Sequence, residues 1–143
     1  MKTVGALISS SQAVTIRRSE SALDAARLMT ARAIGALPII DERRPMGIVT
    51  ERDILARVVA SGLDPATTPV ADIMSTDLVV ADISEDCAVC LQAMLQAHIR
   101  HVILLDRTQG NRFAGIVSLR DLLAEDQAEK ADEVRLLNAY VTV

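Results

Sequence analysis

Two short stretches of this 143-residue chain carry residue types that could do chemistry. Gly47 to Asp53 reads GIVTERD, and Gly115 to Asp121 reads GIVSLRD. In each, a hydroxyl is followed three residues later by a carboxylate: Thr50 with Asp53, Ser118 with Asp121. This is the pattern of a capping box, in which the two side chains satisfy free N–H groups at the start of a helix. The same turn also suits a ligand. A helix N-terminus carries partial positive charge and attracts phosphate, and a carboxylate accepts hydrogen bonds from a vicinal diol such as a ribose. Arg52 and Arg120, identical between the copies, add cationic donors. Spacing alone leaves both roles open, and one turn can perform both.

The remaining reactive side chains are fewer. Cys87 and Cys90 form a C-x-x-C. With Ser84 as a helix N-cap, both thiols fall in the first turns of a helix, where a thiol pKa drops and redox chemistry becomes open. Asp82, Glu85 and Asp86 oppose a thiolate, and zinc would need a second pair of ligands that this spacing does not supply. Two small core residues are the plainer reading. His98 is expected at an exposed helix end, interacting with the dipole. His101 falls at a strand start and reads, on its own residue type, as an ordinary strand edge. Arg100 before it reads as a solvated surface arginine. Without a nucleophile–base pair or a Gly-rich phosphate loop, no enzyme is expected.

Composition narrows the class further. A formal charge of −4 and a pI near 5.1, without a basic stripe or stacking aromatics, argue against nucleic acid as the main partner. The apolar run VGALI near the start is too short for a signal-peptide core. No stretch approaches the ~18 apolar residues of a membrane span, so a soluble, cytoplasmic protein is expected. With Phe113 and Tyr140 the only aromatics, aliphatic side chains must fill the core.

The elements that must position these residues come in duplicate. Residues 13–41 align with 78–106 at an offset of 65, pairing Met29 with Met94, Ile34 with Ile99 and Asp41 with Asp106. Three extra residues in RTQGNR, against ERRP, then move the offset to the 68 of the two motifs. The first half reads as a short strand at Val14–Ile16, a helix from Ser21 to about Ala33, a strand at Leu37–Ile40 and its hairpin partner at Met46–Val49. A second helix starts near Thr50 and stops at Gly62. LDPATTP links the halves, and Thr68-Pro69 can open a helical turn over Val70 to Met74. The second half predicts a strand at Leu78–Val80, a helix at about Glu85–Ala97, strands at Val102–Leu105 and Phe113–Val117, and a helix from Leu119. That helix continues through Ala128, Ala131, Val134 and Leu137, either packing back on the core or forming a dimer seam. The expected segments are therefore 6–62 for the first repeat, 63–77 for the linker, 78–125 for the second repeat and 126–143 for a C-terminal extension. The fold class is α+β, with two β-α-β-β-α units packed sheet to sheet about a pseudo-twofold axis, because neither half can cover its own sheet.

ARLMTARAIGALPIID followed by GIVTERD, and LQAMLQAHIRHVILLD followed by GIVSLRD, resemble the cystathionine beta-synthase (CBS) domain. The resemblance covers about residues 6–125, as one CBS pair. It implies a regulatory module with two clefts for adenosine-containing ligands: AMP, ADP, ATP or S-adenosylmethionine. No catalytic cofactor is implied. Asp53 and Asp121 would hold ribose hydroxyls, with Thr50, Arg52, Ser118 and Arg120 facing ribose and phosphate and Ile48 and Ile116 in the same motifs. Adenine would lie against the opposite repeat. For the Asp121 cleft this means Val14, Ile34, Gly35 and Ala36, and for the Asp53 cleft Val79, Ile99, Arg100 and His101. The resemblance also sets a phosphate contact at Arg100 and a cleft role at His101 beside their plainer readings. Because these two stand where the first copy has Gly35 and Ala36, the clefts should be unequal, with Asp121 favoured for a phosphorylated ligand. The resemblance also implies homodimers through the helices after Asp53 and Asp121, with Val58, Val59, Leu122 and Leu123 as candidate contacts, and an unidentified regulated protein. The other reading is a scaffold that uses the pair for dimerisation without a ligand.

Overall fold

A computed structural model describes residues 2–8 and 14–141, the side chains of 133, 134 and 136–141 apart. The expected packing of Val134 and Leu137, and the surroundings of Tyr140, lie outside the described side chains.

Ser21 and Asp24 form a full capping box that opens helix α1, Ala22–Arg32. Ala33 ends it in the left-handed conformation, at φ 54°. The chain then enters strand β1, Ala36–Asp41, and returns as β2, Arg44–Thr50, antiparallel to it. Glu42 and Arg43, both at positive φ, make the two-residue turn between them. The expected strand at Val14–Ile16 is reduced to a parallel bridge between Ile16 and Ile39. Helix α2, Glu51–Asp53, follows β2 and runs on as a π-helical stretch, Ile54–Val59.

The second half repeats this order. Strand β3, Val80–Asp82, lies parallel to β4, His101–Asp106, which pairs antiparallel with β5, Arg112–Ser118. Strand β3 starts later than the sequence suggests, because the Leu78 N–H turns back onto the Thr76 carbonyl and cannot join the ladder. Helix α3, Cys87–Ala97, ends on His98 at φ 56°, the counterpart of Ala33. Its N-cap is Asp86, not Ser84, whose hydroxyl is engaged by the Asp82 carboxylate. Both sheets carry a bulge at the same place, between Ile39 and Ile40 and between Leu104 and Leu105. Helix α4, Leu119–Val141, follows β5. Strands β2 and β5 adjoin between the halves, and the Phe113 N–H donates to the Arg43 carbonyl. Among the described residues, no helix is long and apolar enough to cross a membrane.

Each half has its own aliphatic core, and each core is closed by a segment that precedes the other repeat. Val70 and Ile73 are buried with Ile16, Met29, Leu37, Ile39, Val49 and Val58 in the first. Val4 is buried with Cys87, Cys90, Met94, Val102, Leu104, Val117 and Leu122 in the second. The backbone bonds that seat the two segments correspond one for one. Val70 N–H donates to Glu20 and Val4 N–H to Glu85, each at 2.8 Å, while Ala71 donates to Arg18 and Gly5 to Ile83. VGALIS, from Val4, and VADIMS, from Val70, are thus a third repeated element.

Val58 and Leu122, candidates for a contact between chains, are core residues with 0% and 1% exposure. Val59 and Leu123 remain exposed and are joined by Leu55. Helix periodicity explains the split: one side of each helix packs on its sheet while the other faces outward.

Candidate functional site

The two capping boxes form as the sequence predicts. Asp121 Oδ2 accepts from the Ser118 N–H at 2.9 Å, and Ser118 Oγ accepts from the Asp121 N–H at 3.0 Å. The Thr50–Asp53 box has the same bonds at 2.9 and 3.2 Å. In both copies the residue after the hydroxyl donates its N–H to the preceding strand's entrance, Leu119 to the Arg100 carbonyl and Glu51 to the Gly35 carbonyl. Two N–H groups at the start of α4 are therefore already engaged. A phosphate here would be met mainly by arginine side chains.

Around Asp121 a cleft of about 520 Å³ opens between the halves. The first half lines it with Val14, Ala33, Ile34, Gly35 and Ala36, and the second with His101, Ile116, Ser118, Arg120 and Asp121. One wall is therefore aliphatic side chains and backbone, and the other is a hydroxyl, a carboxylate, an imidazole and a guanidinium. His101 sits directly across the β4–β5 ladder from Ser118. Burial pushes its pKa below that of a free imidazole, opposed by the nearby Asp121 carboxylate and reinforced by Arg100. Arg100 does not line this cleft. It lines an adjoining hollow of about 560 Å³ that shares His101, Ser118 and Arg120 with it. Ala33 is a lining residue that sequence reasoning missed; its left-handed φ, which turns the chain toward the cleft, has no signature in an alanine.

The residues around Asp53 are gathered differently. Val79 and Ile99 line an apolar hollow of about 250 Å³ between β3 and α3, and Ile48, Thr50, Arg52 and Asp53 are not part of its wall. Ile48 instead exchanges both backbone hydrogen bonds with Ser75, at 3.0 and 2.9 Å. Arg57, which sequence reasoning did not single out, stands 3.8 Å from Asp53 Oδ1. Its Nη1 donates to the carbonyls of Ile73 at 2.9 Å and Met74 at 3.3 Å. The signal was legible in principle: four residues after Asp53 the chain has an arginine, and four after Asp121 it has Glu125.

The cysteine pair packs inward. Cys87 and Cys90 are free thiols, both buried, and burial is the first cause raising each pKa. Glu125 and Asp86 push Cys87 further up, and Glu85 does so for Cys90. The activating effect of a helix N-terminus is outweighed here, and the thiols pack as small apolar groups.

The CBS domain family model matches the chain twice, over residues 4–60 and 70–127. The CBS domain-containing protein YhcV of Bacillus subtilis is 32% identical over 127 residues, spanning 89% of this chain and 88% of its own length. A solved structure of a protein with CBS domains from Burkholderia ambifaria MC40-6 has a TM-score of 0.78 at 29% identity, covering 89% of this chain and 95% of that one. The CBS domain pair of protein MJ0100, solved with 5′-methylthioadenosine and S-adenosyl-L-methionine, has a TM-score of 0.76 at 25% identity, covering 90% of this chain and 98% of that one.

Proposed function

The chain belongs to the CBS domain family, and on that premise we propose that it is a regulatory module binding an adenosine-containing ligand in the cleft at Asp121. The observation that carries this reading is the composition of that cleft. Apolar Val14, Ile34 and Ala36 face Ser118, Arg120, Asp121 and His101 across the boundary between halves. Stacking surface, diol acceptor and phosphate donor are the three things an adenine nucleotide needs. In this reading the purine lies against Ile34 to Ala36 and the ribose hydroxyls donate to Asp121. Phosphate extends past Arg120 toward Arg100 in the adjoining hollow. Binding of 5′-methylthioadenosine and S-adenosyl-L-methionine by the MJ0100 pair supports the adenosine part. No reaction is assigned to the site.

The ligand touches both halves, so it can favour one relative tilt over another, in proportion to its differential affinity for the two. Asp121 lies in the first turn of α4, whose 23 residues would carry a change of tilt about 35 Å from the cleft. Exposed Leu55, Val59 and Leu123, on the helices after the two motifs, favour self-association as the surface that reads it.

Calorimetric titration of the full chain with AMP, ADP, ATP and S-adenosylmethionine tests the reading. Binding by at least one of them, weakened by Asp121→Ala, is expected. Failure of all four at millimolar concentration leaves the module as a scaffold.

A further inference from the structure

The two capping boxes match residue for residue in their hydroxyl, arginine and carboxylate, yet their carboxylates meet different neighbours. We infer that the Asp53 side of the module is occupied by the chain itself, Arg57 standing where a ligand would, so that each chain holds one ligand, at Asp121. This deepens the functional reading above and takes the chemistry of the ligand from it.

Asp53 already has one oxygen on its own cap, and the other faces the Arg57 guanidinium. Its side chain is only 13% exposed, whereas Asp121 is an exposed residue. The ion pair itself is long and half solvated, and contributes little. What fixes Arg57 is its second attachment, to the carbonyls of Ile73 and Met74. That segment is seated in turn, through the paired bonds of Ser75 with Ile48 and through Met74 lying on Gly47. A Cβ at Gly47 would stand 2.5 Å from Met74 Sδ, so the glycine is what lets the segment lie so close. Ile8 lies on Gly115 as Met74 lies on Gly47, so what distinguishes the Asp53 side is the guanidinium held between the carboxylate and the segment. At the corresponding place after Asp121, Glu125 is bonded to Lys2 at 3.3 Å. A carboxylate cannot donate to Asp121, whose side chain, among the described residues, accepts from the Ser118 N–H of its own cap.

The test is the stoichiometry of AMP and S-adenosylmethionine binding to the full chain, with hydrogen exchange as a measurement that needs no ligand. One equivalent per chain is expected, with Asp53→Ala changing the affinity by less than twofold and Asp121→Ala lowering it tenfold or more. Two equivalents, or a tenfold loss from Asp53→Ala, would overturn the inference. Independently, Arg57→Ala should speed exchange of the Ile48 and Ser75 amides about tenfold. Unchanged exchange there removes the clasp even if no adenosine compound binds, whereas absence of binding with faster exchange defeats only the functional reading.

Discussion

Arg57 and Glu125 stand at the same position after the two capping boxes and fasten equivalent segments with opposite charges. Arg57 reaches the carbonyls of Ile73 and Met74, beside Val70, and Glu125 reaches the Lys2 ammonium, beside Val4. The two fastenings should respond differently to salt. Arg57→Ala, which loses hydrogen bonds to carbonyls, is expected to cost about 1 kcal/mol at any ionic strength. Glu125→Ala, which loses an ion pair exposed on its Lys2 side, should cost less, and less still in 1 M salt. Urea denaturation at low and high salt measures both.

Asp121→Asn separates capping from ligand binding. Asparagine can still accept from the Ser118 N–H, so the stability change should stay below about 1 kcal/mol. The lost charge weakens bonds from a ribose diol, and affinity for AMP should fall about tenfold or more. Equal affinity in the two proteins would confine Asp121 to the cap.

His101 makes a pH dependence. Its folded pKa lies below 6.5, so the neutral ring is favoured by folding. The associated stability is present above pH 6.5 and is lost as pH falls toward the folded value. A phosphate extending from the cleft past Arg120 toward the hollow that Arg100 lines would pass His101, favour the protonated ring and raise that pKa. Affinity for ATP should therefore increase between about pH 8 and 6, with a proton taken up on binding, and His101→Gln should flatten the slope. Titrations in buffers of different ionisation enthalpy would read the proton directly.

Gly47 and Gly115 serve close approach. An added Cβ at Gly47 meets Met74 Sδ at 2.5 Å and the Ser75 carbonyl oxygen at 3.0 Å, whereas at Gly115 the nearest described atoms are those of the Ile8 side chain, at 3.1 Å or more. Gly47→Ala should cost about 1–3 kcal/mol and Gly115→Ala less, since a side chain can yield more readily than backbone. Thermal melts of the two variants compare them.

The duplicated order of helices and strands was legible because the offset of 65 keeps Met29, Ile34 and Asp41 in register with Met94, Ile99 and Asp106. The lining of the Asp121 cleft, down to Val14 and Ile34, was implied by the resemblance to the CBS domain, which the repeat alone does not supply. Position beyond the repeat was harder to read. Ser84 has the composition of an N-cap, but its hydroxyl is captured by Asp82, a competition that no propensity shows. Arg100 is adjacent to His101 in sequence, yet it stands one residue before β4 and lines the adjoining hollow without the cleft, whereas His101 lines both. The crossing of VGALIS and VADIMS between halves left a sequence signal in Val4 and Val70, hidden only because each lies outside the segment whose core it fills.

That crossing makes the order of synthesis matter. Residues 14–75 contain the first core together with its cover, so a ribosome that has delivered them has delivered a closed unit. The second core is finished only when Val4, made before the first half, is still free to come back across it. A bulky fusion or a proteolytic nick near Lys2 should therefore be felt at Cys87, Met94 and the Asp121 cleft, and leave the neighbouring helix α1 in place. The residues ahead of the first repeat are the lid of the second.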